Sequence, residues 1–189
     1  MRRIVAGAIG AALVGLAFSP PTEVRAGAEP VFASNTDLMR AGAITSTART
    51  VRYETEQEPG TVIIDTETAD LYLVLEDGKA IQYRIGVGRP GFEWAGTHRV
   101  SRKSEWPSWR PPADMRRRQP YLPRFVPGGE HNPMGARALY LGSTLYRIHG
   151  TVEPETIGYA VSSGCIRMLN DDVIDLYERV PVGAKVIVS

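Results

Sequence analysis

One cysteine, Cys165, and three histidines, at positions 98, 131 and 149, are the residues of this chain best suited to nucleophilic chemistry. Cys165 lies in Ser162-Ser163-Gly164-Cys165-Ile166-Arg167. The small residues before it let the backbone turn sharply and let a substrate approach. Arg167 brings a positive charge, which favours a thiolate. A thiol needs a base to be an effective nucleophile at neutral pH. His149, at the end of an apparent strand in Tyr146-Arg147-Ile148-His149-Gly150-Thr151, is the candidate base. The alternative is a buried cysteine acting as a small hydrophobe, beside a histidine satisfied by a backbone bond. A single cysteine rules out a disulfide scaffold or a four-cysteine zinc site within the chain. His98 and His131 stand at no short ligand spacing to Cys165, so no metal and no cofactor is expected.

The elements that must position this pair read as strands. Thr61 to Asp65 and Leu71 to Leu75 are strand candidates. Glu76-Asp77-Gly78-Lys79 is a turn with the Asp-Gly hairpin signal. Ala80 to Val87 alternates apolar and polar residues through Ile81, Tyr83, Ile85 and Val87, and these three strands predict a β-meander. Ala138 to Leu141, Leu145 to Ile148 and Ala184 to Val188 predict further strands. One helix of note follows Cys165. Asn170 reads as its N-cap, Asp171 and Asp172 sit near the positive end of its dipole, and Arg179 sits near the other end. Val173, Ile174, Leu176, Tyr177 and Val180 are its buried side, and Pro181 and Gly183 end it.

Composition agrees. The chain has 189 residues, 43% of them apolar, enough to bury the core of one domain. Its 22 basic and 21 acidic residues leave a formal charge of +1, which gives no pull toward nucleic acid. The 19 glycines and 14 prolines suit short strands and turns better than a helical bundle.

Before this domain, Arg2 and Arg3 precede an uncharged run from Ile4 to Phe18, then Pro20, Pro21 and small-residue cleavage patterns ending at Ala26 or Ala28. That is the plan of a secretory signal peptide over residues 1–26. The apolar run is short of the ~20 residues that span a bilayer, so no permanent membrane span is expected after cleavage. Residues 27–59 read as a linker or N-terminal arm, with an added strand or helix packed on the domain as the alternative. From Arg99 to Arg124 eight basic residues stand against Glu105 and Asp114, as a basic lid or a solvated loop. Trp94, Trp106 and Trp109 line a groove or pack as core and rim.

Ile148-His149-Gly150-Thr151, followed by Ser163-Gly164-Cys165-Ile166-Arg167-Met168, resembles the L,D-transpeptidase catalytic domain, the YkuD-type fold. The likeness continues in Ile85-Gly86-Val87-Gly88, in Pro107-Ser108-Trp109-Arg110-Pro111-Pro112, and in Pro127-Gly128-Gly129 with Asn132-Pro133-Met134-Gly135. It covers residues 60–189. It implies a mainly β, sandwich-like catalytic domain with one significant helix after the cysteine.

The resemblance also implies roles. Cys165 would be the nucleophile on a peptidoglycan tetrapeptide stem, and His149 the proton donor and acceptor. The Gly150 carbonyl would orient His149, and the Gly164 backbone would contribute to the oxyanion hole. Arg167, with Ser163 and Ser162, would bind substrate; the other expected role of Arg167 is a salt bridge to Asp171 or Asp172. The acyl acceptor would be a second stem, giving a 3→3 cross-link, or an envelope protein, in the periplasm or cell wall. A hydrolase using the same thioester and a non-catalytic wall-binding module are the competing readings. Many members carry histidine directly before the Gly-Cys pair, where this chain has Ser163.

Overall fold

Alternating apolar residues make strands where the sequence marks them, and the computed structural model, which describes residues 35–189, shows how they pair. The signal-peptide region and the start of the arm lie outside the described residues. In chain order the elements are α1 (Asn35–Arg40), β1 (Arg49–Arg52), β2 (Val62–Asp65), β3 (Asp70–Val74), β4 (Lys79–Arg84), β5 (Val87–Gly88), β6 (Gly96–Glu105), α2 (Ala113–Arg118), β7 (Arg137–Leu141), β8 (Arg147–His149), a 3-10 turn (Pro154–Thr156), β9 (Ala160–Ser162), β10 (Ile166–Arg167), α3 (Asn170–Arg179) and β11 (Lys185–Val188). Nine strands form one sheet in the order β1-β4-β3-β2-β11-β6-β7-β8-β10, and β5 pairs with β9 separately.

The expected meander is present as antiparallel β2, β3 and β4. β11 returns parallel to β2 and antiparallel to β6. β6 joins the two halves of the sheet: Gly96 to Arg99 pair with β11, and Val100 onward pairs with β7, with a register shift between Val100 and Arg102. Such an irregularity bends a strand and turns its later residues toward a new neighbour. One cluster of buried side chains then serves both halves, with Ile64, Leu71 and Tyr83 from one, Leu139, Ile148 and Ile166 from the other, and Val173 and Leu176 from α3.

Three parts of the sequence reading become more definite. Of the two readings of the arm, the packed strand holds for its later part: β1 pairs antiparallel with β4, and Tyr53 stacks on Tyr72 at 4.5 Å. Asp172 lies in the first turn of α3, as expected, and is fully buried there. It accepts hydrogen bonds from Ser46 Oγ at 2.6 Å, Thr47 Oγ1 at 2.7 Å and the Thr47 N–H at 3.0 Å. Burial raises its pKa, and these donors pull it back. Finally, Leu169 takes the N-cap position of α3, and Asn170 instead accepts the Ala136 N–H on Oδ1 at 2.9 Å. That bond ties the start of the helix to the entry of β7.

Candidate active site

Two strands bring the thiol and the imidazole together. β8 and β10 run parallel, with Ile166 opposite Ile148 and Arg167 opposite His149. Cys165, just ahead of β10, therefore enters the cleft beside the start of β8. The turn that presents it is held from three sides. Ser162 Oγ donates to the Cys165 carbonyl at 2.6 Å and accepts the Gly164 N–H at 3.1 Å. Trp94 Nε1 donates to the Gly164 carbonyl at 2.6 Å. Tyr146 stacks flat on Trp94 at 4.2 Å and lies against Gly164.

Gly164 has φ +101°, and a Cβ there would sit 2.6 Å from the Tyr146 ring. Gly164→Ala should therefore lose about 1–3 kcal/mol of stability along with turnover. Thermal unfolding reads the first effect, and an unchanged midpoint with full turnover would show that the loop relaxes freely.

His149 is 5% exposed. Its Nδ1 lies 2.6 Å from the Gly150 carbonyl. A carbonyl only accepts, so Nδ1 carries the hydrogen and Nε2 is left with a free lone pair. Burial pulls the His149 pKa down from 6.5 to about 4, helped by the positive charges of Arg167 and Arg147 and opposed by the carbonyls of Gly150 and Met134. The imidazole is therefore neutral at pH 7. Burial pushes the Cys165 thiol up from its ordinary value, opposed first by the Arg147 charge and by hydrogen bonds from Arg147, then by Arg167. The thiol lies 3.8 Å from the Leu145 carbonyl, a weak acceptor contact suited to a protonated sulfur. The resting pair is neutral thiol and neutral imidazole rather than an ion pair.

The cleft around them is about 410 Å³, lined by Cys165, His149, Arg147 and Arg167, and by Trp109 and Met115 on the facing side. A larger cavity of about 540 Å³ lies beside Arg49, Asp70 and Arg84, and it holds neither the thiol nor a histidine. The sequence motifs meet at the cleft. Gly86 exchanges two 2.8 Å backbone bonds with Arg167, and Trp109 exchanges bonds of 2.9 and 2.8 Å with Val126. Asn132, 1% exposed, donates to the Pro127 carbonyl at 2.7 Å and accepts the Met134 N–H at 2.9 Å, which sets Pro133 and Met134 on the cleft wall. Part of the Arg-rich segment forms β6 and α2. Asp114, Met115 and Arg118 of α2 face the cleft, and Asp114 also pairs with Arg117.

Several expected roles meet the geometry differently. The Ser162 hydroxyl is spent on the turn, and the Gly164 N–H is donated to it, so Gly164 brings no free N–H to an oxyanion. Ser163 Oγ accepts from Arg89 at 3.0 Å. Arg167 pairs with Glu153 at 2.7 Å, not with Asp171 or Asp172. Trp94 props the cysteine turn instead of lining the groove, His98 meets Trp94 edge-on, and Trp106 is exposed. Arg147 was not singled out from the sequence, although it precedes His149 by two residues, the spacing that puts two strand residues on one face.

Comparison with known proteins agrees with this arrangement. A model of the YkuD L,D-transpeptidase catalytic domain matches residues 59–188. The Escherichia coli K12 protein named Probable L,D-transpeptidase ErfK/SrfK is 42% identical over 134 residues, covering 66% of this chain and 42% of that protein. The E. coli K12 protein named Probable L,D-transpeptidase YbiS is 37% identical over 160 residues, covering 80% of this chain and 51% of that protein. This chain thus spans about half the length, or less, of these two relatives. The solution structure of the Enterococcus faecium L,D-transpeptidase catalytic domain superimposes with a TM-score of 0.55 at 21% identity, covering 71% of this chain and all of that one. Since the family match takes in every strand from β2 to β11 together with the cleft, the chain belongs to the L,D-transpeptidase catalytic domain family.

Proposed function

We propose that this chain is an exported cysteine acyltransferase acting on peptidoglycan tetrapeptide stems, with Cys165 as nucleophile and His149 as base. The observation that carries the reading is the 2.6 Å bond between His149 Nδ1 and the Gly150 carbonyl. It leaves Nε2 as a base in the same cleft as the only thiol of the chain. The carbonyl does the orienting work that a carboxylate does in a serine-protease triad.

In the first half-reaction, Nε2 takes the thiol proton as the sulfur attacks the carbonyl of the third stem residue. The Cys165 N–H is the donor for the oxyanion. The intermediate collapses by breaking the amide bond to terminal D-Ala, whose amine leaves with the proton from His149. A thioester remains on Cys165. In the second half, an amine attacks that thioester, His149 takes its proton and returns it to the sulfur, and a new amide forms. Arg167 binds a stem carboxylate through the nitrogens that Glu153 leaves over, since a guanidinium matches that shape. The acceptor is the side-chain amine of a second stem, giving a 3→3 cross-link, or an amine of an envelope protein.

The site of action is the periplasm or cell wall, with residues 1–26 removed as a signal peptide. No helix among the described residues is long and apolar enough to cross a membrane. Incubating the protein with purified muropeptides and weighing the products tests the reading. The expected result is release of D-Ala with a 3→3 dimer. Tripeptide without dimer would make the enzyme a hydrolase of the same thioester. No change in the muropeptides would overturn the enzymatic reading in favour of a wall-binding module.

A further inference from the structure

We propose that Arg147 is a positioning residue for the nucleophile, holding the Cys165 sulfur and acting as the cation that stabilises its negative charge. The proposal rests on the reading of Cys165 as the nucleophile. Arg147 and His149 alternate around Ile148 on β8, so their side chains leave the same face. Both line the cleft with Cys165, while Ile148 is buried in the core. The parallel register sets Ile166 opposite Ile148, which places Cys165 abreast of Arg147. The charge of Arg147 and the donor groups of its backbone and side chain oppose the burial that raises the Cys165 thiol. The guanidinium carbon sits 5.3 Å from the centre of the Tyr140 ring, which backs it on the side of β7.

The thiol is faced by Arg147, His149 and Tyr146 from β8 and the turn before it, by Arg167 from β10, and by Asp114 and Arg118 from α2. Arg167 is the cation that the sequence offers first. Its guanidinium is paired with Glu153 at 2.7 Å, which neutralises much of its field. Among the described residues no carboxylate forms a salt bridge with Arg147, so its charge is available to the sulfur. It also makes the larger electrostatic contribution to the thiol of the two. An arginine stays charged across the working pH range, so this support does not titrate away. The arrangement divides the work on one strand, with a permanent cation two residues ahead of a neutral base.

Iodoacetamide alkylation of the thiol tests this without any peptidoglycan substrate. Because the chain has one cysteine, intact-mass spectrometry across pH 6–11 follows that site alone. Arg147→Met should move the alkylation profile up by about one to two pH units and slow labelling at neutral pH by roughly 10- to 100-fold. Arg147→Lys, which keeps the charge, should recover most of that shift. Arg147→Gln, which keeps donors without charge, should behave like Arg147→Met and serves if the methionine variant fails to fold. Profiles for Arg147→Met or Arg147→Gln that superimpose on the parent would overturn the proposal. So would a lysine variant shifted as far as the glutamine one. A parent protein that alkylates as described but turns over no muropeptide would count against the proposed function and leave the role of Arg147 intact.

Discussion

Cys165→Ala should abolish turnover of tetrapeptide stems, with a loss of at least about 10⁴-fold in single-turnover D-Ala release. The thermal midpoint should stay close to that of the parent. The sulfur is half-buried at the cleft and touches the Leu145 carbonyl and Arg147, so alanine removes the reacting atom without opening a hole in the core. Cys165→Ser should be nearly as inactive. Its hydroxyl is a far weaker acid than the thiol, and a base whose pKa is about 4 takes a proton from it poorly. Turnover in Cys165→Ala above a trace would remove the thioester from the mechanism.

His149→Ala should slow acylation by on the order of 10²–10⁴-fold, the span expected for losing a positioned proton-transfer group. His98→Ala should have a much smaller effect, because His98 packs against Trp94 on β6 and is not part of the cleft lining. The pH dependence follows from the same burial. With a base of pKa about 4, kcat/KM for the parent should hold through pH 6.5 and fall only as pH approaches 4. The effect on stability has a defined sign. The folded pKa lies below the ordinary 6.5, so the unfolded chain binds the proton first. Stability is full above pH 6.5 and declines as pH falls toward 4, by roughly 3 kcal/mol at the end of that window. Urea unfolding of His149→Gln should lack that share of the acid loss. An acid limb of activity centred at 6.5 would contradict the buried, neutral imidazole.

The residues that announce themselves in the sequence are those whose meaning is local. Cys165 is the only thiol, and His149-Gly150 and Gly164-Cys165 are short contiguous patterns. The meander was legible because β2, β3 and β4 alternate or bury apolar residues in short runs. β6 was not, because only Val100 of its ten residues is buried and no apolar alternation marks it. Its place is set by pairing with β11 and β7. The run from Ala80 to Val87 looked continuous but breaks at Gly86, which turns to bond Arg167. The sequence leaves the arm open between linker and packed strand for a related reason. Asp172 meets Ser46 across 126 positions, and neither residue carries a local sign of the other. Arg147 gains its meaning only when β8 and β10 lie side by side, and Trp94 only when its indole reaches the Gly164 carbonyl.

The central claim is a thioester on Cys165, and rapid acid quench with intact-mass spectrometry tests it most directly. The protein is mixed with a tetrapeptide stem in the absence of an added amine acceptor and stopped within the first turnover. The account predicts an adduct with the mass of the stem less its terminal D-Ala, placed by peptide mapping on Cys165 and removed by hydroxylamine. D-Ala released at full rate while Cys165 stays unmodified, or an adduct on any other residue, would contradict it.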